Sequence, residues 1–508
     1  MPLPPQEKGP EECRDRIGWI QTALLLALVT GLVYAPMLGG YFRHDDFGWL
    51  QVARQWEREG GWAIRHGAAG CTPFYNLLLA LLYRLAGRTP WPYYAALILT
   101  HALASVLVFR LALTLTGRRL AAAIAGLWFG LHYVHHEAVT WVSSLYRPIA
   151  LDLLLASLLL FIRYWRRGGS APLILAAVLF GLAALTKEDA LPLVLLLPLV
   201  ERWLLEKEGR EEGVGSRKHE GWRRGKEGGS EPPGIALRAF APFAPLRSYL
   251  PFGFALLLYG FIRPWAWAVG GALTTGPGIY WLGPHVLTNW IRCVPQMLVP
   301  DLDFETYRQL LQRFLSPAGL EAVVGASRLL GVLGTVGAGV LFWRGPRPIR
   351  FWILWSYIMF LPFTPFAYEY ARAPRYLYLP SVGLAMLVGL GMQAWDDRAR
   401  GGLRRGLGAA FLLVLLANVA LLGLVQKHRL RDSAVRREVL ATVQAAVPNP
   451  EPGAIVYLVG VPFHLRDVGL GVALLYEVPV EGKCLQAGES IPHGTTRKQY
   501  VVHFRGGP

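Results

Sequence analysis

The sequence predicts an all-α, polytopic membrane protein of about eleven transmembrane helices with a small C-terminal mixed α/β module. Three observations carry that prediction. Hydrophobic residues make up 53% of the 508 residues and charged residues only 17%; the mean hydropathy is +0.34, which excludes an ordinary soluble domain. Apolar runs long enough to cross a bilayer recur along the chain. Basic residues gather between those runs, so the net charge of +17 reads as a topology signal and not as a nucleic-acid surface.

The first run, 17–38, is too long for a signal-peptide core and has no small-residue cleavage pattern after it, so it reads as a retained helix. Further runs cover 92–115, 119–136, 144–164, 171–186, 190–204, 249–272, 328–343, 351–366, 377–393 and 406–425. Two interrupted apolar stretches, 73–86 and 285–300, read as interfacial or re-entrant helices. With the N-terminus cytoplasmic, every alternate connection is basic: Arg118-Arg119, Arg163 to Arg167, the flexible 205–247 loop, Arg344 to Arg350, and Arg398 to Arg405. The Asp45-Asp46 loop, the loop near His135, the 187–189 turn, 273–327, 366–376 and the C-terminal tail then lie outside. The transmembrane domain is expected over 1–425 and the extracytoplasmic module over 426–508. In that module Val435, Val439, Leu440, Val443 and Val447 follow helical spacing, and 454–459, 472–476 and 500–502 read as strands. The four cysteines have neither metal-ligand spacing nor the density of a disulfide scaffold.

Five polar constellations fall at the predicted outer ends of helices. They are Asp45-Asp46 beside Arg43 and His44; His132, His135, His136 and Glu137, followed by Arg147; Lys187-Glu188-Asp189; Asn289 with Arg292; and Arg372 with Arg375. Each taken alone has an ordinary reading: a helix cap, an interfacial histidine belt, a neutralised turn or a snorkelling arginine. Histidines and a carboxylate at helical spacing also suit a divalent metal. Together they put acids, histidines and cations on one membrane face, where ionisable groups are expensive unless they work or face water. That inventory suits sugar transfer from a lipid phosphate. Asp45 or Asp46 acts as base, the other orients it or the acceptor, and Lys187, Arg147, Arg292 or Arg375 holds the departing phosphate.

These residues resemble the GT-C membrane glycosyltransferases, and within them the protein O-mannosyltransferases and the transmembrane, TPR-containing branch with its bacterial relatives. Asp45-Asp46 is similar to the acidic motif of the first outer loop. His132-Tyr133-Val134-His135-His136-Glu137-Ala138-Val139 resembles His-Pro-x-His-x-Glu-Ala-Val. Thr186-Lys187-Glu188 resembles Ser-Lys-Glu, and Asn289 with Arg292 resembles Asn-x-x-Arg. Arg375-Tyr376-Leu377-Tyr378-Leu379-Pro380-Ser381-Val382-Gly383 resembles the last motif of that branch. The sequence departs from the pattern at Tyr133, at Tyr146-Arg147-Pro148 and at Pro374, and no TPR repeats follow the last run.

The resemblance implies a polyprenyl-phosphate sugar donor, an extracytoplasmic site and an acidic base in the first loop. Glu137 and His135 or His136 would shape the donor or a metal site, with Glu188 and Asn289 in support. No cofactor is required, and a divalent metal is left open. The acceptor, a protein or a glycan, is open as well, and the partners are the donor and the bilayer, without nucleic acid. Ala, Gly and Arg usage suits a bacterial cytoplasmic membrane. Two other classes compete with the enzyme: a transporter or flippase of a lipid-linked sugar, and a non-catalytic envelope scaffold.

Overall fold

The computed structural model describes residues 10–59, 72–205, 244–270, 282–302, 305–461, 467–485, 489, 491 and 496–504. The protein is mostly helical, and each of the eleven apolar runs is a helix or lies largely within one. In order these are α1 (Pro10–Tyr34), α2 (Asp45–Glu59), α3 (Pro73–Ala86), α4 (Trp91–Thr116), α5 (Arg119–Leu131), α6 (Tyr146–Arg167), α7 (Ser170–Thr186), α8 (Leu193–Val200), α9 (Ala244–Gly270), α10 (His285–Leu298), α11 (Glu305–Leu311), α12 (Pro317–Arg344), α13 (Arg347–Phe360), α14 (Ser381–Arg398) and α15 (Gly401–Ala446). The centre of the expected 205–247 loop, from 206 to 243, lies outside the described residues.

Among the described residues, five stretches are long and apolar enough to cross a membrane, namely Gly18–Gly39, Trp91–Thr116, Val142–Arg167, Pro317–Arg344 and Gly401–Ala446, and four shorter apolar helices accompany them. The two interrupted stretches form α3 and α10, each 14 residues and so about 21 Å long, short of a bilayer's hydrocarbon core. The surface is inverted relative to a soluble protein. Leu24, Leu25, Leu28 and Leu32 of α1 are 58–65% exposed, as are comparable faces of α9, α12 and α15. Such apolar stripes on span-length helices belong against lipid, which makes the chain a multi-pass membrane protein. Small residues let the inner helices close: a side chain at Gly126 would meet Phe109 at 2.9 Å, and one at Gly389 would run into the backbone of Ala121.

Helix ends depart from the expected runs for local reasons. Helix α5 stops at Leu131, and the chain continues through a 3-10 turn (Tyr133–His135) and a single helical turn (His136–Val139). Pro198 interrupts α8, which passes into a π-helical turn, Glu201–Leu205. Helix α12 begins at Pro317, well before the apolar run at 328, because the Ser316 side chain accepts from Gly319 N and caps it.

Helix α15 runs unbroken for 46 residues, through position 425, and carries the C-terminal module on its end. That module contains β1 (Ile455–Val459), α16 (Val468–Leu475), β2 (Glu481–Leu485) and β3 (Gln499–His503). The three strands form one parallel sheet in the order β2-β1-β3, with Val456 opposite Gly482 on one side and Tyr500 on the other. The strand expected at 472–476 is instead helix α16. Parallel strands cannot be joined by a hairpin and need a crossover, usually helical, and Val468 and Val472, one turn apart, bury fully against the sheet. Strand β2, Glu-Gly-Lys-Cys-Leu, has no strand-forming pattern and is held by backbone pairing with β1.

The module has no core of its own. Val456, Leu458 and Val472 join Phe47 and Leu50 of α2, Tyr75 and Leu79 of α3, and Leu440 and Val443 of α15 in one cluster. Helix α16 and strand β2 touch through glycine: a side chain at Gly482 would collide with Gly469 O and lie 2.6 Å from Val472 Cβ. Gly482→Ala is therefore expected to lower stability by about 1–3 kcal/mol, read as a fall in the thermal unfolding midpoint of the full-length protein; an unchanged midpoint would contradict this packing.

Candidate active site

The chain enters α2 through His44, whose φ of +50° is the single positive value at a non-glycine among the described residues. An L residue in this region costs about 1–3 kcal/mol and persists only when its surroundings enforce it. Asp45 and Asp46 follow as the first residues of α2. Neighbours on a helix point about 100° apart, so the doublet divides. Asp46 is fully buried and accepts hydrogen bonds from Arg43 N at 2.9 Å, Ser143 N at 2.6 Å and Ser143 Oγ at 2.5 Å. Asp45 is exposed and accepts no hydrogen bond among the described residues. The two carboxylates are thus not one contiguous acidic pair.

Their electrostatics follow. Burial pushes the Asp46 carboxyl up to about 6, against the lowering effect of the Ser143 and Arg43 hydrogen bonds. Asp45 reaches water but has protein on most sides, and this partial burial raises its pKa. Arg375 and Arg43 pull it down, while Asp467 and Glu137 push it up.

Glu137 and Arg375, 238 positions apart, form a buried ion pair at 2.9 Å. Burial alone would raise the Glu137 carboxyl; the charges of Arg375, His136, Arg429 and Arg43 outweigh it and hold it at about 2. The guanidinium groups of Arg375 and Arg43 stand over the ring of Trp141, at 5.0 and 5.1 Å. Trp141 Nε1 in turn donates to Arg43 O at 3.4 Å. Arg43 itself is buried, and its Nε and Nη2 have no acceptor among the described residues.

A second cationic group lies alongside. Arg147 faces Asp189 at 3.5 Å, both almost wholly buried, and Lys187 Nζ pairs with Glu188 at 2.8 Å. Burial raises Asp189 to about 6 even with Arg147 and Lys187 beside it. Tyrosines join the two groups: Tyr146 lies under Arg147 at 4.7 Å and Lys187 at 5.3 Å, and Tyr376 lies within 5.0 Å of both Arg147 and Arg375. Asp45, Glu137, Arg147, Lys187 and Arg375 therefore gather at one end of the helix bundle. Basic connections meet at the other end, where Arg118 pairs with Asp397 and Arg166 donates to Thr114 O.

The remaining sequence candidates go elsewhere. His135 is buried, its Nε2 bonded to Ser381 Oγ at 2.8 Å, and its ring packs on Phe129 and Tyr378. His101 takes the Tyr378 hydroxyl at 2.8 Å, so the Tyr378 to Ser381 part of the last motif is a packing latch. His136 Nδ1 contacts Tyr133 O and the Tyr307 hydroxyl, both at 3.0 Å. Asn289 is also structural, donating to Thr364 O and Phe366 O. Arg292 lines a separate groove of about 470 Å³ between α10 and α12, with Arg328 across it. Among the described residues no three His, Cys, Asp or Glu side chains converge to hold a metal ion. Ser143 and Trp141 are not among the sequence candidates, and Tyr146 and Tyr376 enter there only as motif positions, because aromatic and hydroxyl residues at helix ends carry no signal until their neighbours are known.

Residues 70–214 match the model of the family described as dolichyl-phosphate-mannose-protein mannosyltransferase, a stretch that contains Glu137, Trp141, Arg147 and Lys187. The matched stretch spans two of the motifs on which the resemblance rests, His132–Val139 and Thr186–Glu188. Among solved structures, a crystal structure of ArnT from Cupriavidus metallidurans bound to undecaprenyl phosphate is similar at 14% identity and a TM-score of 0.46, over 91% of this chain and 85% of that one. No curated protein matches the chain in sequence.

Two expectations separate the acidic residues. Asp46→Asn keeps one acceptor oxygen but turns a donor toward Arg43 N, and should cost about 1–3 kcal/mol of stability, whereas Asp45→Asn should leave the unfolding midpoint within a degree or so. Arg375→Ala strands Glu137 as an unpaired buried charge and should cost about 3–5 kcal/mol. Adding Glu137→Gln to that variant should recover part of the loss in a double-mutant cycle; purely additive effects would mean that the ion pair contributes nothing.

Proposed function

We propose that the protein is an inverting, GT-C-type glycosyltransferase that moves a sugar from a polyprenyl-phosphate donor to an acceptor on the extracytoplasmic face, with the N-terminus in the cytoplasm. The observation that carries this reading is the convergence of one water-accessible carboxylate with Arg375, which shared tyrosines join to Arg147 and Lys187, all drawn from helix ends and loops spread between residues 45 and 375. The family match supports the donor class. The acceptor is a protein or a glycan.

Asp45 takes the proton of the acceptor hydroxyl as its oxygen attacks the anomeric carbon. The bond from that carbon to the phosphate oxygen breaks, and the polyprenyl phosphate leaves with the electron pair. The negative charge it gains is held by the partly exposed Arg375 and Lys187, with the buried Arg147 adding positive charge behind them. A phosphate leaving group needs no general acid. A retaining double displacement would need a second free carboxylate as nucleophile; Asp46 is buried in three hydrogen bonds and Glu137 is committed to Arg375. One available carboxylate suits one displacement, hence inversion.

The test uses full-length protein in nanodiscs, undecaprenyl-phosphate mannose labelled in the sugar, and membrane extract as the acceptor source. Asp45→Asn should lower turnover by about 10²-fold or more with the fold intact; unchanged turnover would remove the catalytic assignment. A base works when ionised, so the rate should rise with pH through the Asp45 pKa. Because that pKa is raised, the acid limb should fall above the ordinary carboxylate value of about 4, and a limb at or below that value would count against Asp45.

A further inference from the structure

The loop that presents Asp45 is held from the far end of the chain. His44 N donates to Asp467 Oδ2 at 2.6 Å, across 423 positions, and Arg436 Nε donates to the same oxygen at 2.9 Å. His44 Nδ1 stands 3.6 Å from it. Arg436 and Asp467 are almost wholly buried, so this is a fixed contact and not a surface ion pair. Asp467 sits immediately before α16, and α16 is itself fastened to the loop's own helix: Gln51 donates to Leu470 O at 2.8 Å and Arg54 to Tyr476 O at 3.0 Å. A residue in a left-handed conformation is thus gripped at its own amide by a side chain of the C-terminal module, one position before the exposed carboxylate.

We propose that Asp467 is a positioning residue of the active site, and that the C-terminal module serves the reaction by holding His44 in its left-handed turn so that Asp45 faces the cationic cluster. The inference rests on the reading of Asp45 as the base. It gives the module a role inside the site, where a separate outer domain would suggest acceptor binding alone. Asp467 also acts through charge, since the groups facing Asp45 are Arg375, Arg43, Asp467 and Glu137, and Asp467 is one of the two that favour its protonated form.

Four variants of the full-length protein test this in the assay above. Asp467→Ala removes the acceptor for the His44 amide and should lower kcat by about tenfold to a hundredfold, the scale of a small misplacement of a reacting group, with little change in KM. Glycine adopts positive φ without strain, so His44→Gly added to Asp467→Ala should return turnover to near that of His44→Gly alone. Asp467→Asn keeps an acceptor oxygen but not the charge; it should retain most of the turnover and move the acid limb to lower pH. Turnover unchanged in Asp467→Ala, a loss that His44→Gly does not relieve, or an unmoved acid limb in Asp467→Asn would each overturn the proposal, provided Asp45→Asn is inactive. If Asp45→Asn stays active, the base assignment is what fails. Deuterium uptake by the peptide spanning 41–50 then reads the restraint without turnover: faster exchange in Asp467→Ala upholds it, and unchanged exchange overturns it.

Discussion

The buried carboxylate of Asp46 is the constraint on which the rest of the site depends. A charged group with no access to water must have its oxygens occupied, and here the partners are the amide of Arg43 and both the amide and hydroxyl of Ser143. That requirement ties the first loop to the segment between α5 and α6. Once these are tied, Trp141 lies under Arg43 and Arg375, and Glu137 comes within reach of Arg375. The neighbouring Asp45, turned away by the helical step, is left exposed. The same geometry that buries one acid leaves the other at the surface.

The surroundings explain why charge can be concentrated there. Most of the bundle presents leucine, phenylalanine and valine to lipid, and in such a setting ionisable groups survive only where they pair or meet water. Each cation of the cluster has a carboxylate or an aromatic face: Arg375 has Glu137, Arg147 has Asp189, Lys187 has Glu188, and the rings of Trp141, Tyr146 and Tyr376 lie between them. Arg375 and Lys187 keep part of their surface exposed, whereas Arg147 is sealed between Asp189 and the rings of Tyr146 and Tyr376. The C-terminal module belongs to this arrangement because its core is continuous with α2, α3 and the end of α15.

Much of this was legible in the sequence. The apolar runs gave every long helix, since in lipid a helix must satisfy its own backbone and its length is fixed by the bilayer. The motifs around Asp45, Glu137, Lys187 and Arg375 pointed to one end of the bundle. Less was legible where local pattern competes with long-range pairing. The 472–476 run looked like a strand yet forms a helix, because two parallel neighbours required a crossover, and β2 was invisible because its partner strand and not its own composition holds it. Arg292 and Asn289 match a motif as well as Arg375 does, but α10 turns them toward a separate groove and a structural loop.

The sequence by itself determined that this chain crosses a membrane many times, which helices it uses, and which titratable residues lie at their ends, because those properties depend on hydropathy and spacing within a few turns. Only the tertiary structure decided that Asp45 is open and Asp46 closed, that His135 packs while Glu137 pairs, and that Asp467 grips the loop of His44. Burial and hydrogen bonding between residues hundreds of positions apart follow from how helices pack, and no local pattern encodes that.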